Sequence, residues 1–200
     1  MTPSLENREG LTWPKLWRFL SLPFRPHALR TYLAVPRFED IPIDRLKADG
    51  VKGILIDADG TLAPHKATRF PQPVVDHVER MVRSGLKVAL FTNAEDNRFL
   101  QFEGVAVVRQ VEAKPDRRGF ERAMRTYLGM DTPDRVCMAG DNYITDGGAI
   151  EVGMKFIHVD PLPGPENAIL HLTRSWAYWL ARFYHPAPFS ETAKGDSLID

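Results

Sequence analysis

Five short runs of aliphatic and β-branched residues, at 54–56, 86–91, 105–108, 135–139 and 155–159, are separated by stretches whose apolar residues recur every three or four positions. Runs this short and apolar on both faces suit buried parallel strands, which need a crossover segment between them. The gaps supply it. Val74, Val78, Met81 and Val82 line one side of a helix over about 73–84, and Phe120, Met124 and Leu128 one side of another that opens at Lys114-Pro115 with proline in its first position. Shorter helices are expected before Gly50, over 95–102, and after Thr145, which is placed to cap the last of them. This alternation predicts an α/β fold: a doubly wound, Rossmann-like, five-stranded and mostly parallel sheet with right-handed crossovers. Ligands of such sheets bind beyond the carboxyl ends of the strands.

The two ends of the chain differ from the middle. Residues 1–40 form an arm rich in Trp, Phe, Leu, Pro and Arg, with Trp13, Leu16, Trp17, Leu20 and Phe24 at helical spacing and Lys15 and Arg18 on the other side. Such a segment can lie in a membrane interface, aromatics inward and cations toward anionic lipid. The alternative is an arm packed on its own domain or on a partner chain. The domain proper is expected over 41–185, closed by a helix at 169–184 that carries Leu172, Trp176, Trp179, Leu180 and Phe183, and residues 186–200 read as a disordered tail. The two aromatic ends could join into one apolar surface.

Composition removes several classes. Formal net charge is zero, which argues against a general nucleic-acid binder. The single cysteine, Cys137, excludes an internal disulfide framework and lies in an apolar run as a buried, inert thiol. No Cys/His cluster has zinc-site spacing, no run approaches the roughly 20 apolar residues of a bilayer span, and no cleavable signal is visible. The expected location is cytoplasmic, with peripheral attachment to the inner face of the membrane if the arm binds lipid.

The chemistry is placed where strands end. Asp57 and Asp59 follow the first strand in the sequence Asp57-Ala58-Asp59-Gly60-Thr61-Leu62, and alternation along extended chain points both carboxylates the same way. Two facing anions call for a cation or proton between them, or for a nucleophile beside a general acid. A calcium loop would need Glu at the twelfth position, where Thr68 stands. The carboxyl-end rule brings Thr92 and Asn93, Lys114, and Asp141 with Asp146 to the same rim. Together these are a nucleophile, an acid, a hydroxyl donor, a cation and metal ligands.

As a set these residues resemble the four motifs of the haloacid dehalogenase-like phosphohydrolases, over roughly residues 50–160. The resemblance implies that Asp57 attacks phosphorus to form an aspartyl-phosphate and that Asp59 protonates the leaving oxygen and then activates water. It further implies a Mg²⁺ held by the Asp57 carboxylate, the Asp59 backbone carbonyl and Asp141, with Asp146 supporting the metal shell or orienting Lys114. Thr92, Asn93 and Lys114 would bind the transferred phosphoryl group. Asp59 favours phosphatase chemistry, since the ion-pumping ATPases carry Thr there and the dehalogenases lack the acid.

The gaps between Asp57, Thr92 and Lys114 leave no room for a cap domain. An open site favours a substrate that is large, surface-bound or covered by a neighbouring subunit of a homo-oligomer. A narrower set is similar to the YqeG-like and mitochondrial phosphatidylglycerophosphate phosphatases: Pro36-Arg37-Phe38-Glu39-Asp40-Ile41, Lys114-Pro115 with Arg117, Arg118 and Phe120, and residues 140–153. It differs at Ala58-Asp59-Gly60, where that family more often has Leu-Asp-Asn, and at Thr92-Asn93, where Ser-Asn is usual. The implied substrate is a lipid phosphomonoester, with Arg117 and Arg118 as candidate contacts to a second phosphate. The alternatives are a soluble sugar-phosphate or nucleotide phosphatase, and a non-catalytic regulatory protein of the same fold.

Overall fold

A computed structural model describes residues 12–65, 67–93, 98–164 and 168–190, the side chains of residues 98 and 168–170 excepted. Six strands, all parallel, make one sheet: β1 (Leu33–Val35), β2 (Gly53–Ile56), β3 (Lys87–Leu90), β4 (Ala106–Val107), β5 (Val136–Gly140) and β6 (Lys155–Val159), in the order β1-β6-β5-β2-β3-β4. Helices are α1 (Trp13–Ser21), α2 (Ile43–Ala48), α3 (Gln72–Arg83), α4 (Arg117–Tyr127), α5 (Gly148–Val152) and α6 (Ala168–Tyr184). The α/β parallel sheet expected from the alternation is present, with one strand more than the five foreseen. The sixth, β1, lies inside the stretch read as an arm. Three residues beside a Pro- and Arg-rich segment carry too little pattern to be seen, and β1 gains its place by pairing with β6, Leu33 opposite Ile157.

Alternation along each strand divides the core into two layers. Ile54, Ile56, Val88, Leu90, Cys137 and Ala139 pack on one side against α3 through Val74, Val78 and Met81. Leu55, Ala89, Met138 and Phe156 pack on the other against α4 through Phe120 and Met124, and against α6 through Ala177 and Ala181. Burying strands on both faces is what makes their sequences continuously apolar. The order reverses at β2, which lies between β3 and β5, so the carboxyl ends of β2 and β5 border the crevice where ligands of such sheets bind.

Several local expectations change. Helix α4 begins at Arg117, not at Pro115, because the Asp116 carboxylate accepts from the Arg118 amide at 2.9 Å and caps the helix there. Helix α5 begins at Gly148 without a side-chain cap, and the Thr145 hydroxyl instead donates to the Asn142 carbonyl at 3.5 Å. Of the helix foreseen over 95–102, Arg98–Gln101 is a single 3₁₀ turn, and residues 94–97 lie outside the described residues. Phe189, from the stretch read as tail, packs on Tyr178 with ring centroids 5.4 Å apart, while residues 191–200 lie outside the described residues.

Helix α1 turns its cations into the domain, where one reading had them toward lipid and the other had the arm packed on its own domain, and leaves its aromatic side outward. Lys15 and Arg18 are buried, whereas Trp13, Trp17 and Leu20 are exposed. The Arg18 guanidinium donates to the Tyr143 carbonyl at 2.8 Å, to the Ala28 carbonyl at 3.2 Å, and to Glu151. A cation enclosed by two carbonyls and a carboxylate is more stable there than any aromatic ring would be. No described helix is long and apolar enough to cross a membrane.

Candidate active site

Strand β2 carries its ladder one residue further, the Asp57 amide donating to the Ala139 carbonyl at 2.9 Å, and this sets Asp57 beside the end of β5. The chain then curls back, with Gly60 N donating to the Ala63 carbonyl at 2.8 Å. Gly60 has φ +84, and a Cβ there would sit 2.7 Å from Asp141 Oδ2. Only glycine meets both conditions, and its turn lets the loop after β2 close against the loop after β5.

Asp141 follows β5, and Asp146 stands at the end of the turn over 142–146. The Asn142 carboxamide oxygen accepts from the Ile144 amide at 2.9 Å, and the Asn142 amide donates to Asp146 Oδ2 at 3.2 Å. Asp146 is fully buried and folds back over Gly140, where a Cβ would lie 2.4 Å from its Oδ2. Lys114 reaches in from the segment ahead of α4. Its ammonium lies 2.5 Å from Asp57 Oδ1 and 2.5 Å from Asp146 Oδ1. Asn93 holds the lysine's backbone at both ends: its oxygen accepts from Lys114 N at 3.1 Å and its amide donates to the Lys114 carbonyl at 3.5 Å.

Sequence reasoning placed seven residues at this rim, and the structure assigns them different places. Asp57, Asp141 and Asp146 come together with ligand oxygens within 4.8 Å of one another, and all three are buried. The Asp59 carboxylate lies outside that group, on the half-buried turn where Asp59 bridges Ala63. Thr92 is buried just past β3. Asn93 turns its carboxamide to the Lys114 backbone. Arg117 and Arg118 are exposed at the start of α4, with Arg118 paired to Asp116 at 2.8 Å.

One residue escaped notice. Arg174 of α6 donates to Asp141 Oδ2 at 2.8 Å, and both side chains are buried. The available signal was spacing: Arg174 falls three and seven positions before Ala177 and Ala181, so it shares their buried side of an otherwise aromatic helix.

Electrostatics explain the cluster. Burial raises Asp57 to about 7, with Lys114 pulling it down and Asp146 pushing it up. Burial raises Asp146 as well. Burial alone would lower Lys114, but Asp146 and Asp57 override it and hold the ammonium above its usual range. The raised acids and the raised base pull against each other. The two 2.5 Å contacts favour the charged lysine, and Lys114 holds Asp57 and Asp146 while Arg174 holds Asp141. Three buried carboxylates with oxygens this close suit a hard divalent ion.

A family profile for the mitochondrial PGP phosphatases matches residues 19–151, well over half of the chain. The chain belongs to that family. It is 27% identical over 186 residues to phosphatidylglycerophosphate phosphatase 1, chloroplastic, of Chlamydomonas reinhardtii, covering 84% of this chain and 68% of that protein. It is 28% identical over 136 residues to the probable phosphatase YqeG of Bacillus subtilis (strain 168), covering 66% of this chain and 77% of that one. A core domain from Streptococcus pneumoniae solved by NMR aligns with TM-score 0.40 at 16% identity, over 63% of this chain and 95% of its own. Membership of this phosphatase family makes the protein a phosphoric monoester hydrolase of the haloacid dehalogenase-like kind.

Proposed function

We propose that the protein hydrolyses the terminal phosphomonoester of a lipid phosphate, phosphatidylglycerophosphate being the substrate that the family and the Chlamydomonas relative favour. The observation that carries the reading is the group of Asp57, Asp141 and Asp146 around Lys114 at the carboxyl end of the sheet. An Asp57 oxygen attacks phosphorus while the bond to the leaving oxygen breaks, and Asp59 gives that oxygen its proton. Asp59 then takes a proton from water as the water oxygen attacks the aspartyl-phosphate, freeing phosphate and restoring Asp57. Lys114 and Thr92 balance charge on the equatorial oxygens, where the transition state carries it. A Mg²⁺ held by the Asp57 and Asp141 carboxylates with the Asp59 carbonyl would offset the repulsion among these buried acids. Asp146 keeps Lys114 aimed at Asp57, and Asn93 fixes its backbone.

Two exposed aromatic rows support a lipid substrate. Trp13, Trp17, Leu20 and Phe24 stand at positions i, i+4, i+7 and i+11 of the chain, and Leu172, Trp176, Trp179 and Phe183 repeat the same spacing on α6. The segments are tied together, the Tyr184 hydroxyl donating to the Pro23 carbonyl at 2.9 Å. Rows of this composition suit the interfacial region of a bilayer. The test is phosphate release from phosphatidylglycerophosphate in mixed micelles with Mg²⁺, set against sugar phosphates and nucleotides. Turnover of the soluble esters with none of the lipid would overturn the lipid assignment.

A further inference from the structure

Beside Asp141, the carboxyl ends of β5 and β6 and the inner side of α6 frame a cavity of about 350 Å³, lined by Asp141, His158, Asp160, Arg174, Ser175 and Tyr178. All but Asp141 lie beyond the stretch matched by the family profile, and the reaction at Asp57 employs none of those five. His158 is 1% exposed and stacks on Tyr143, ring centroids 5.2 Å apart and planes at 15°, with Tyr178 at 5.1 Å. Neither ring nitrogen has a full hydrogen-bond partner among the described residues. The Asp160 carboxylate is 3.5 Å from Nε2, a contact too long for a full bond. Burial lowers the imidazole's affinity for a proton, so the neutral ring offers one donor and one acceptor. A buried polar group left unsatisfied in a native fold needs an explanation, and a ligand is one.

The cavity mixes a buried guanidinium, a carboxylate, a neutral imidazole and hydroxyls. A free phosphate would take the cation and the hydroxyl donors but meet the Asp160 carboxylate as a like charge, and an acyl chain would want none of them. A glycerol-like unit joined to an anionic phosphodiester wants the mixture: its free hydroxyl finds Asp160 or His158, its leaving oxygen the other, and the diester finds Arg174. The volume is at the lower end of the roughly 300–1,000 Å³ of small-ligand pockets, enough for such a head group and not for lipid chains. Arg174 and Asp141 join the cavity to the carboxylates around Lys114, so a group held here can be covalently linked to a phosphoryl group at Asp57.

We propose that this cavity is the leaving-group subsite, taking a hydroxyl-bearing moiety that carries a second, diester phosphate. The assignment rests on the phosphatase reading above and names what distinguishes its substrate. The test compares kcat/KM for glycerophosphoglycerol phosphate, which has the diester and hydroxyls, with that for phenyl phosphate, which has neither. In His158→Phe and in Arg174→Gln the ratio of the two falls at least tenfold. A ratio within twofold of the unaltered protein in both overturns the proposal.

A measurement on the unaltered full chain guards against variants that misfold. Calorimetric titration with glycerophosphoglycerol shows binding, and the same compound competes with the diester-bearing substrate. Absence of both overturns the subsite. Where neither phosphomonoester is hydrolysed the phosphatase reading falls, and the calorimetry still decides on the cavity. Phosphatidylglycerophosphate in mixed micelles separates the two sources of the head group. Equal losses with lipid and deacylated substrate assign the cavity to the head group, while a loss confined to the lipid overturns it.

Discussion

At the scale of single residues the site depends on a few close approaches. Replacing Asp57 by Asn keeps the shape and removes the proposed nucleophile, so phosphate release is expected to fall at least about a thousandfold while the chain stays folded. Unchanged turnover in Asp57→Asn would exclude the aspartyl-phosphate route. Gly140 makes a finer test. A methyl group there would sit 2.4 Å from Asp146 Oδ2 and 2.8 Å from its Cβ, closer than those atoms tolerate. Gly140→Ala must therefore push Asp146 away from Lys114, costing about 1–3 kcal/mol of stability in a packed site. Turnover is expected to fall roughly a hundredfold, as misplacement by about 1 Å does. A variant with wild-type urea midpoint and turnover would show that Asp146 does not need its present position. The acids and Lys114 were legible in the sequence because chemistry at strand ends obeys topology. Arg174 was not: its spacing to Ala177 and Ala181 marks a buried side, but nothing in it points to a partner 33 positions away.

At the scale of elements, α1 is a brace for the site. Arg18 donates to the carbonyl of Tyr143, inside the turn that presents Asp146, and it approaches Gly147 so closely that a Cβ there would lie 2.9 Å from Nη2. Arg18→Met would leave Glu151 and two carbonyls without this partner, and a loss of about 3 kcal/mol is expected, as for other broken buried pairs. Urea unfolding measures it, and a change below about 0.5 kcal/mol would mean that α1 does not brace the domain. Helix α3 supplies a pH test. His77 accepts from Arg80 through Nδ1 at 3.0 Å and is buried edge-on against Phe38. Burial, with Arg80 beside it, lowers its proton affinity. A depressed folded-state pKa gives stability that is full above the ordinary value near 6.5 and is lost as pH falls through the folded value. The unfolding midpoint of His77→Phe should therefore change less between pH 7 and 5 than that of the unaltered protein. Five strands and the main helices were legible because period-2 and period-3.6 patterns survive in single segments. The inward turn of α1 was not, since an amphipathic stripe does not say which side meets the protein when the domain offers a carboxylate and carbonyls.

At the scale of the whole molecule, α6 works on two sides at once. Its inner side, through the small Ala177 and Ala181, lies close on the sheet and brings Arg174 to Asp141. Its outer side exposes Trp176 at 46% and Trp179 at 61%, and α1 nearby exposes Trp13 at 74% and Trp17 at 60%. One helix thus spans from Asp141 to an apolar outer surface, and on the proposed lipid substrate this would let the lipid reach the site without leaving the bilayer. On the same proposal a membrane would cover the open site in place of a cap. If each tryptophan buries about 60 Å² of apolar surface in the interface, at ~25 cal/mol/Å² it contributes ~1.5 kcal/mol. Losing two of them then costs ~3 kcal/mol, about two decades in partitioning. Trp176→Ser with Trp179→Ser should lower sedimentation with phosphatidylglycerol-containing vesicles by about that factor. The preference for micellar phosphatidylglycerophosphate over its deacylated counterpart should collapse in parallel. Vesicle binding unchanged in the double variant, with that preference intact, would mean that this face meets another protein or a second copy of the chain, and that the lipid reaches the site by a different approach.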